Sequence, residues 1–378
     1  MKIIQLIPNL AGGGAERFVV DLSNELAKTH EVVLITLYDT KSSDIFLDHL
    51  VDKVQIITLG KKLGFDWRVI GKLRKAIKHI KPDIIHTHLR VLNYLMPSIH
   101  FLGNVKIVHT IHSDAHRECR NTKIRKVRKY FFKKRIITPV TISKTSAKSF
   151  EKAYGLSMYK LIYNGRNKPK KSNQFNTVSK EIEGYKNDLN TKIFITIGRI
   201  EKVKNQLLLV EAFKQFLNND NVNAILLIIG GGRNNKNSLA IQEKLIEMKN
   251  DKIFLLGEKN NATDYLYASD YFCLSSLFEG MPITLIEAFA TGTIPISTSV
   301  GGITEMISEL DDSLLSEDLT INSYYNTLKQ AYFLSDKKKG TIEKHAVELF
   351  SNKYSIKNCS LKYVKLYNKL IKNSVKTL

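Results

Sequence analysis

Short apolar runs alternate along the chain with segments in which apolar residues recur every three or four positions. The first run, Ile3–Ile7, is almost entirely apolar, which predicts a strand buried on both faces. Val19, Leu22 and Leu26 then recur at helical spacing. Strands separated by helices of this length predict parallel β-α-β units. Further strands of the first half are predicted at 31–37, 54–59, 84–86, 106–111 and 136–142.

A polar, lysine-rich stretch interrupts this alternation, which then restarts in the second half. We predict a first domain at 1–170, a linker at 171–190 and a second domain at 191–353. A terminal helix at 354–378 could cross back to the first domain. The predicted fold class is α/β, with two doubly wound Rossmann-like domains facing a central cleft. Ligands of such sheets bind beyond the carboxyl ends of the strands, so the loops there are the expected site.

The amino-acid composition limits the kinds of protein that this chain can be. Of the 378 residues, 43% are hydrophobic and 25% are charged, which is ordinary for a soluble globular protein and excludes a fibrous or disordered chain. Its three cysteines lack CxxC spacing, so neither a disulfide framework nor a structural zinc site is expected. The first apolar run is too short for a signal peptide, and no stretch approaches the ~18 apolar residues of a membrane span. We therefore expect a cytoplasmic protein.

The charge is distributed unevenly between the two halves. The chain has 58 basic and 36 acidic residues, a net charge of +22. Residues 1–170 carry 32 basic and 13 acidic residues, whereas residues 171–378 carry 26 and 23. This asymmetry indicates an anionic partner for the first half, which could be nucleic acid, an anionic membrane or an acidic substrate. A lysine-rich, solvated surface without a partner remains the alternative.

Four loops after predicted strands carry candidate chemistry. A glycine loop with Gly13 and Gly14 opens the first helix, where free N–H groups favour an anion, although a tight turn without a ligand fits equally well. His112 ends the strand 106–111, although a lone histidine is more often structural. Arg199 and Lys204 follow the strand 192–197 and suit a diphosphate, unless they are only solvated surface charges.

The fourth loop contains a pair of carboxylates. Glu279 lies in a glycine-containing loop, and Glu287 follows about one and a half helical turns after Pro282. Carboxylates bind vicinal sugar hydroxyls well, because each oxygen accepts a hydrogen bond. From spacing alone, an ordinary helix approach for Glu279 and a solvated helix face for Glu287 remain open.

The chain resembles the retaining glycosyltransferases of family 4, which have the GT-B fold. The resemblance covers nearly the whole chain and rests on the segments GGGAER, HTIH, YNG, IGRIEKVKN, FEGMPITLIEA and VGGITEMI. Residues 276–307 are its most specific part. It implies transfer of a sugar from a nucleotide diphosphate sugar, a UDP-sugar above all, with retained anomeric configuration and without a metal or other cofactor. One departure is Asn205, because the family often has glycine after the lysine that corresponds to Lys204.

The resemblance also assigns roles to individual residues. Glu287 would hold the ribose hydroxyls, and Glu279 would hold hydroxyls of the donor sugar. Arg199 and Lys204 would bind the diphosphate and stabilise it as the leaving group. His112 would contact the donor sugar near the reacting carbon. Further nucleotide-sugar contacts would come from Gly13, Gly14, Gly257, Glu258, Lys259, Gly280, Met281, Thr284 and Leu285.

No residue stands out as a covalent nucleophile, so we expect same-face attack by the acceptor, with the leaving phosphate assisting its deprotonation.

Three functions other than glycosyl transfer are alternatives. A nucleotide-sugar epimerase could use a similar two-domain cleft. A nucleic-acid-binding protein would explain the positive charge, but no aromatic stacking motif or known binding module is present. A sugar phosphorylase would have no ribose for the pair Glu279 and Glu287 to hold.

The most basic segment of the chain spans residues 117–135, with ten basic residues and one acidic residue. Ile124, Val127 and Phe131 recur within it at helical spacing, which predicts an apolar stripe between basic flanks, as in an interfacial helix. Trp67 and the basic residues of 72–75 could extend this surface. We therefore expect peripheral association with the inner face of the cytoplasmic membrane and a lipid-linked saccharide acceptor for a surface polysaccharide, with no nucleic-acid partner. A core-facing helix with a solvated basic face remains the alternative.

Overall fold

The protein is described from a computed structural model, which covers residues 1–41, 44–232 and 235–375. Its Cα atoms cluster into two compact units. The first unit comprises Met1–Asn167 together with Lys353–Leu378, and the second comprises Lys168–Asn352. Each unit is built on its own parallel β-sheet.

The first unit contains seven parallel strands in the order β3-β2-β1-β4-β5-β6-β7. The strands are β1 (Lys2–Ile7), β2 (Glu31–Thr36), β3 (Val54–Thr58), β4 (Ile84–His88), β5 (Lys106–Ile111), β6 (Ile137–Thr141) and β7 (Lys160–Leu161). The helices between them are α1 (Gly14–Leu26), α2 (Arg68–Ile80), α3 (Leu92–Leu95), α4 (Ala115–Glu118), α5 (Thr122–Lys133) and α6 (Lys144–Tyr154). The strand order reverses direction between β1 and β4, so the loops after these two strands flank a topological switch point.

The second unit contains six parallel strands in the order β10-β9-β8-β11-β12-β13. The strands are β8 (Lys192–Ile197), β9 (Ala224–Ile229), β10 (Ile253–Gly257), β11 (Tyr271–Leu274), β12 (Ile294–Thr298) and β13 (Leu315–Ser316). The helices are α7 (Phe175–Glu183), α8 (Gln206–Asn219), α9 (Lys236–Met248), α10 (Ala262–Tyr267), α11 (Ile283–Thr291), α12 (Gly301–Ile307), α13 (Ile321–Tyr332) and α14 (Asp336–Leu349). Its switch point lies between β8 and β11.

The stretch 171–190, which its polar composition indicates as a linker, contains a helix and clusters with the second unit. Helix α7 buries Val178 and Ile182 and packs against α10. Two apolar residues four positions apart are enough to bury one helix face in an otherwise polar segment. The boundary between the units accordingly falls between Asn167 and Lys168.

The last helix, α15 (Ile356–Val375), belongs to the first unit, where it packs against α1 and β5. The backbone at its start joins the loop after β7, because Arg166 N–H donates to Tyr354 O and Ile356 N–H donates to Arg166 O, both at 2.9 Å. A Cβ atom on Gly165 would lie 2.8 Å from Ser355 O, so this approach requires glycine. The YNG segment therefore marks the docking point of α15.

The central strands of the first unit carry a buried histidine cluster that α15 completes. His86 Nε2 lies 2.7 Å from Thr110 Oγ1, and its Nδ1 lies 2.8 Å from the Tyr367 hydroxyl. The Tyr363 hydroxyl lies 2.8 Å from Thr110 Oγ1. On β4, His88 Nε2 lies 2.8 Å from a side-chain oxygen of β1. These contacts satisfy polar groups that would otherwise be buried without partners.

The apolar stripe predicted for α5 lies partly in the core and partly on the surface. Phe131 is buried and Ile124 packs against the same core, whereas Val127 and Tyr130 are exposed. Arg128 is fully buried, with Nη1 donating to Glu118 Oε1 at 3.0 Å. The prediction of a continuous apolar stripe was therefore wrong for Ile124 and Phe131, because the core takes one side of the helix. The exposed side keeps Val127 and Tyr130 among the lysines Lys123, Lys126, Lys129, Lys133 and Lys134.

The buried histidines make the first unit sensitive to acid. Burial lowers the pKa of His86 and His88 well below the ordinary value, and it lowers the pKa of His112 to about 4. Below pH ~6.5 the unfolded chain binds protons that the folded unit does not. We therefore expect the unfolding free energy of this unit to fall with decreasing pH, by about 1.4 kcal/mol per pH unit for each such histidine.

Limited proteolysis over a temperature ramp, with the peptides identified by mass spectrometry, follows the two units separately. The thermal midpoint for cleavage within the first unit should be lower at pH 5.5 than at pH 7.5. The second unit contains one histidine, His345, and its cleavage midpoint is the internal control. Equal midpoints of the first unit at the two pH values would contradict the expectation.

Candidate active site

The switch point of the second unit gathers most of the predicted site residues. Strand β11 lies between β8 and β12, so the loops that leave the carboxyl ends of these three strands are neighbours. The loop after β8 carries Arg199 and Lys204, and the loop after β11 carries Glu279. The parallel topology thus brings together residues that are about 80 positions apart in the sequence.

An ion pair joins two of these loops directly. Lys204 Nζ lies 2.6 Å from Glu279 Oε1, and Ser276 Oγ donates to the same oxygen at 2.9 Å. The Ser275 hydroxyl donates to Lys204 O at 3.0 Å and fixes the other loop. Both charged side chains are mostly buried, with 20% of Lys204 and 13% of Glu279 exposed, so solvent screens the pair less than it screens a surface pair.

Arg199 is the more exposed cation of this group. Its Nη2 lies 3.1 Å from Glu201 Oε1, and its backbone carbonyl accepts a bond from Gln206 Nε2 at 2.8 Å. Asn205 has φ +51° and immediately precedes α8. Asparagine tolerates this left-handed conformation, which explains why it can stand at a position where the family that the chain resembles often has glycine.

The N-terminus of α11 comes shortly after Glu279 in the sequence. Pro282 precedes the helix with φ −70°, and Thr284 and Leu285 occupy its first turn, where backbone N–H groups have no partner within the helix. Gly280 and Met281 form the approach to it. Glu287 lies further along α11 and is 8% exposed. The helix start offers amide N–H groups and the positive end of the helix dipole to an anion.

Gly301 supports this loop, a role that the sequence analysis did not assign. It has φ +57°, and a Cβ atom there would lie 1.8 Å from the Glu279 carbonyl oxygen. The Thr298 hydroxyl donates to Ser276 O at 2.7 Å and fixes the β11 loop from the same side. The glycine pair in VGGITEMI is the sequence signal that could have revealed this contact.

Three of the predicted nucleotide-sugar contacts, Gly257, Glu258 and Lys259, lie at an edge of the same sheet, where β10 ends. Gly257 ends β10 and helps to line a pocket of about 650 Å³ together with Ile200, Gly230 and Tyr185. Lys259 Nζ lies 3.6 Å from Glu181 Oε1 of α7, and hydrogen bonding with Tyr265 raises the pKa of Lys259.

Glu258, the neighbour of these residues, lies against the loop after β9, since a Cβ atom on Gly231 would be 3.1 Å from its Oε2. Gly257 and Glu258 thus adjoin the loop that lines the pocket, whereas Lys259 is engaged with α7.

The remaining predicted residues lie at the switch point of the first unit. Gly13 directly precedes α1 and Gly14 is its first residue, as the glycine loop predicts. His112 follows β5, and its Nε2 lies 2.9 Å from Nδ1 of His88. His88 in turn contacts Gln5 Oε1 through its Nε2 at 2.8 Å. His112 is therefore held by a histidine that the sequence analysis did not single out, and desolvation keeps its imidazole neutral near pH 7.

Two glycosyltransferase families match the chain. Residues 12–168 match Glycosyltransferase Family 4, and residues 178–345 match Glycosyl transferases group 1. These matches lend no support to the epimerase or nucleic-acid-binding alternatives. The fold is also that of the crystal structure of Anabaena HepE in complex with UDP, with a TM-score of 0.79 at 17% identity over 98% of this chain and 100% of that one. The predicted GT-B fold class is thereby confirmed.

Two curated bacterial proteins are similar in sequence. The chain is 28% identical over 345 residues to the capsular polysaccharide biosynthesis glycosyltransferase CapH of Staphylococcus aureus, covering 87% of this chain and 90% of that protein. It is 28% identical over 301 residues to the UDP-Gal:alpha-D-GlcNAc-diphosphoundecaprenol alpha-1,3-galactosyltransferase of Escherichia coli, covering 76% and 77% respectively. The first half of the chain thus matches Glycosyltransferase Family 4 and the second half matches Glycosyl transferases group 1, and the chain is a glycosyltransferase.

Proposed function

We propose that the enzyme transfers a sugar from a UDP-sugar to a lipid-linked saccharide, with retention of anomeric configuration, during synthesis of a bacterial surface polysaccharide. The observation that carries this proposal is the pair of Lys204 and Glu279 at the switch point, next in the chain to the N-terminus of α11. A cation and free amide N–H groups suit a diphosphate, and a carboxylate suits sugar hydroxyls. The UDP complex of HepE and the name of the Escherichia coli relative support a UDP-sugar and a diphosphate-linked acceptor.

In the proposed reaction, the bond between the sugar and the diphosphate loosens while positive charge develops on the sugar. Arg199 and Lys204 stabilise the negative charge that gathers on the leaving diphosphate. Lys204 is already oriented by Glu279, so little reorganisation is needed when the phosphate charge develops. The acceptor then attacks the same face of the sugar, and the leaving phosphate accepts the acceptor's proton. This route uses no metal ion.

The carboxylates divide the recognition of the donor between them. Glu279 binds hydroxyls of the donor sugar, because its loop adjoins the cations that hold the diphosphate. Glu287, mostly buried in α11, binds the ribose. The contact of His112 with the donor sugar, and the nucleotide contacts of the glycines and of Glu258 and Lys259, remain predictions.

The first unit supplies a surface for peripheral membrane association. In the part of the chain that the structure describes, no helix has the length and apolarity needed to cross a bilayer. Helix α5 exposes four lysines around Val127 and Tyr130, and α2 contains basic residues but no acidic ones. Each basic residue near an anionic leaflet contributes about 1 kcal/mol. Docking of this surface would bring the enzyme to a lipid-linked acceptor.

Removing each carboxylate should separate nucleotide binding from sugar transfer. Glu287→Ala should weaken UDP binding, because the ribose loses a charged acceptor worth ~1.5–3 kcal/mol. Glu279→Ala should mainly reduce turnover of the UDP-sugar and leave UDP affinity nearly unchanged. Isothermal titration with UDP and initial-rate assays measure the two effects. Glu211→Ala, an exposed change on α8, is the matched control, and wild-type behaviour of both site variants would refute the assignments.

The leaving-group cations should matter more for turnover than for folding. Arg199→Ala and Lys204→Ala should each lower kcat roughly 100-fold, as expected for groups that act on transition-state charge. The thermal midpoint should change little for Arg199→Ala and fall for Lys204→Ala, which leaves the mostly buried Glu279 unpaired. Lys202→Ala in the same loop is the exposed control. Activity should survive excess EDTA, and loss of activity that Mg²⁺ restores would rule out the metal-free route.

The lysine face of α5 can be tested by charge reversal. Arg128 is excluded from the set, because glutamate there would face Glu118 in the core. Changing Lys123, Lys126, Lys129 and Lys133 to glutamate should strongly reduce flotation with anionic liposomes, and salt should weaken flotation of the wild type. The control carries the same four-fold reversal on exposed lysines of the second unit, which are Lys236, Lys244, Lys337 and Lys344. Equal flotation on neutral and anionic liposomes would exclude electrostatic docking.

A further inference from the structure

The loop between β3 and α2 exposes three large apolar side chains within five residues. Leu63 is 94% exposed, Phe65 is 72% exposed and Trp67 is 73% exposed. Scattered single apolar residues are common on protein surfaces, whereas a cluster marks an interaction surface. We call residues 61–67 the apolar loop.

The apolar loop is held in place by its polar neighbours. The carboxylate of buried Asp66 accepts bonds from Lys62 N–H at 3.2 Å and from Arg68 Nε at 2.9 Å. These bonds hold the pKa of Asp66 well below its usual range, with the Arg68 contact as the largest cause. Asp66 N–H donates to the Tyr94 hydroxyl at 3.3 Å, and the Phe65 ring stacks on Tyr94 with centroids 5.3 Å apart. Specific contacts thus hold the loop in one conformation, and its apolar side chains are exposed in that conformation.

Positive charge surrounds the apolar loop. Helix α2 follows it directly and contributes Arg68, Lys72, Arg74, Lys75 and Lys78, with no acidic residue. The guanidinium of Arg74 in α2 lies 4.2 Å from the ring centroid of Phe101, which is itself 69% exposed.

We infer that the apolar loop inserts into the interfacial region of an anionic lipid bilayer, where it anchors the first unit. This inference rests on the membrane association proposed above and assigns its hydrophobic component to a specific segment. Transfer of apolar side chains from water into a bilayer lowers the free energy, and tryptophan favours the headgroup level of a bilayer. The basic flanks complement anionic headgroups, whereas they would repel the same surface of a second copy.

Because Trp67 is the only tryptophan, the unmodified enzyme reports on its own loop. With vesicles of phosphatidylglycerol and phosphatidylethanolamine, its emission should shift to shorter wavelength, and lipids brominated on the acyl chains should quench it. A fraction of binding should persist at high salt, because apolar contacts are not screened. Vesicle binding without a blue shift or quenching would overturn the insertion and leave electrostatic docking intact.

Leu63→Ser removes the most exposed apolar side chain and leaves the reporter in place. It should lower the vesicle partition coefficient about ten-fold, the effect expected when most of one buried leucine is lost. Leu189→Ser, 88% exposed on the second unit, should leave partitioning unchanged. Equal loss in both variants, or in neither, would contradict the inference.

A water-soluble, short-chain analogue of the acceptor separates this inference from the transferase function. Transfer to this analogue should be unaffected by Leu63→Ser, whereas transfer to a long-chain acceptor in vesicles should fall. Activity on the soluble analogue without any vesicle binding would refute the membrane proposals and preserve the transferase. A blue shift that depends on protein concentration in the absence of lipid would instead show a protein–protein contact and overturn the bilayer assignment.

Discussion

Hydrogen bonds from two tyrosines of α15 complete the interior of the first unit. Tyr363 and Tyr367 reach Thr110 and His86 on neighbouring central strands, where all four side chains are buried from bulk solvent. Leaving such a buried polar group without a partner costs about 1–3 kcal/mol. The sheet can therefore hold polar side chains at its centre only because a helix from the far end of the sequence covers them. The positions of His88 and His112, which lie beside this network, depend on the same cover.

The chemistry of the second unit depends on its strand order. The order in which strands are added to the sheet reverses between β8 and β11, and this leaves room for the loops of Lys204 and Glu279 to meet. The contact is then maintained by short-range features, namely the hydroxyl of Ser276 and the close passage of the Gly301 backbone behind Glu279. The rigid sheet sets which loops are neighbours, and a few small residues set the distance between their charged groups.

The sequence was sufficient for the features that depend on periodicity and on loop position. Alternating apolar runs predicted two parallel α/β units, and the motif loops predicted the residues at both switch points. It was not sufficient where long-range packing decides the outcome. Arg128 looked like one more surface cation of a basic helix, but Glu118 draws it into the core. His88 had no local signal, since its importance comes from a contact with His112, 24 positions away.

The first unit is formed by two separate segments of the sequence, and this has a consequence for synthesis on the ribosome. The second unit, Lys168–Asn352, is the first to have its entire sequence translated. The first unit must wait for α15, so its central strands emerge early while the tyrosines that cover them emerge last. Domains of nascent chains ordinarily fold in order from the N-terminus. Here the order of completion is reversed, and the early strands stay without their cover until α15 has been translated.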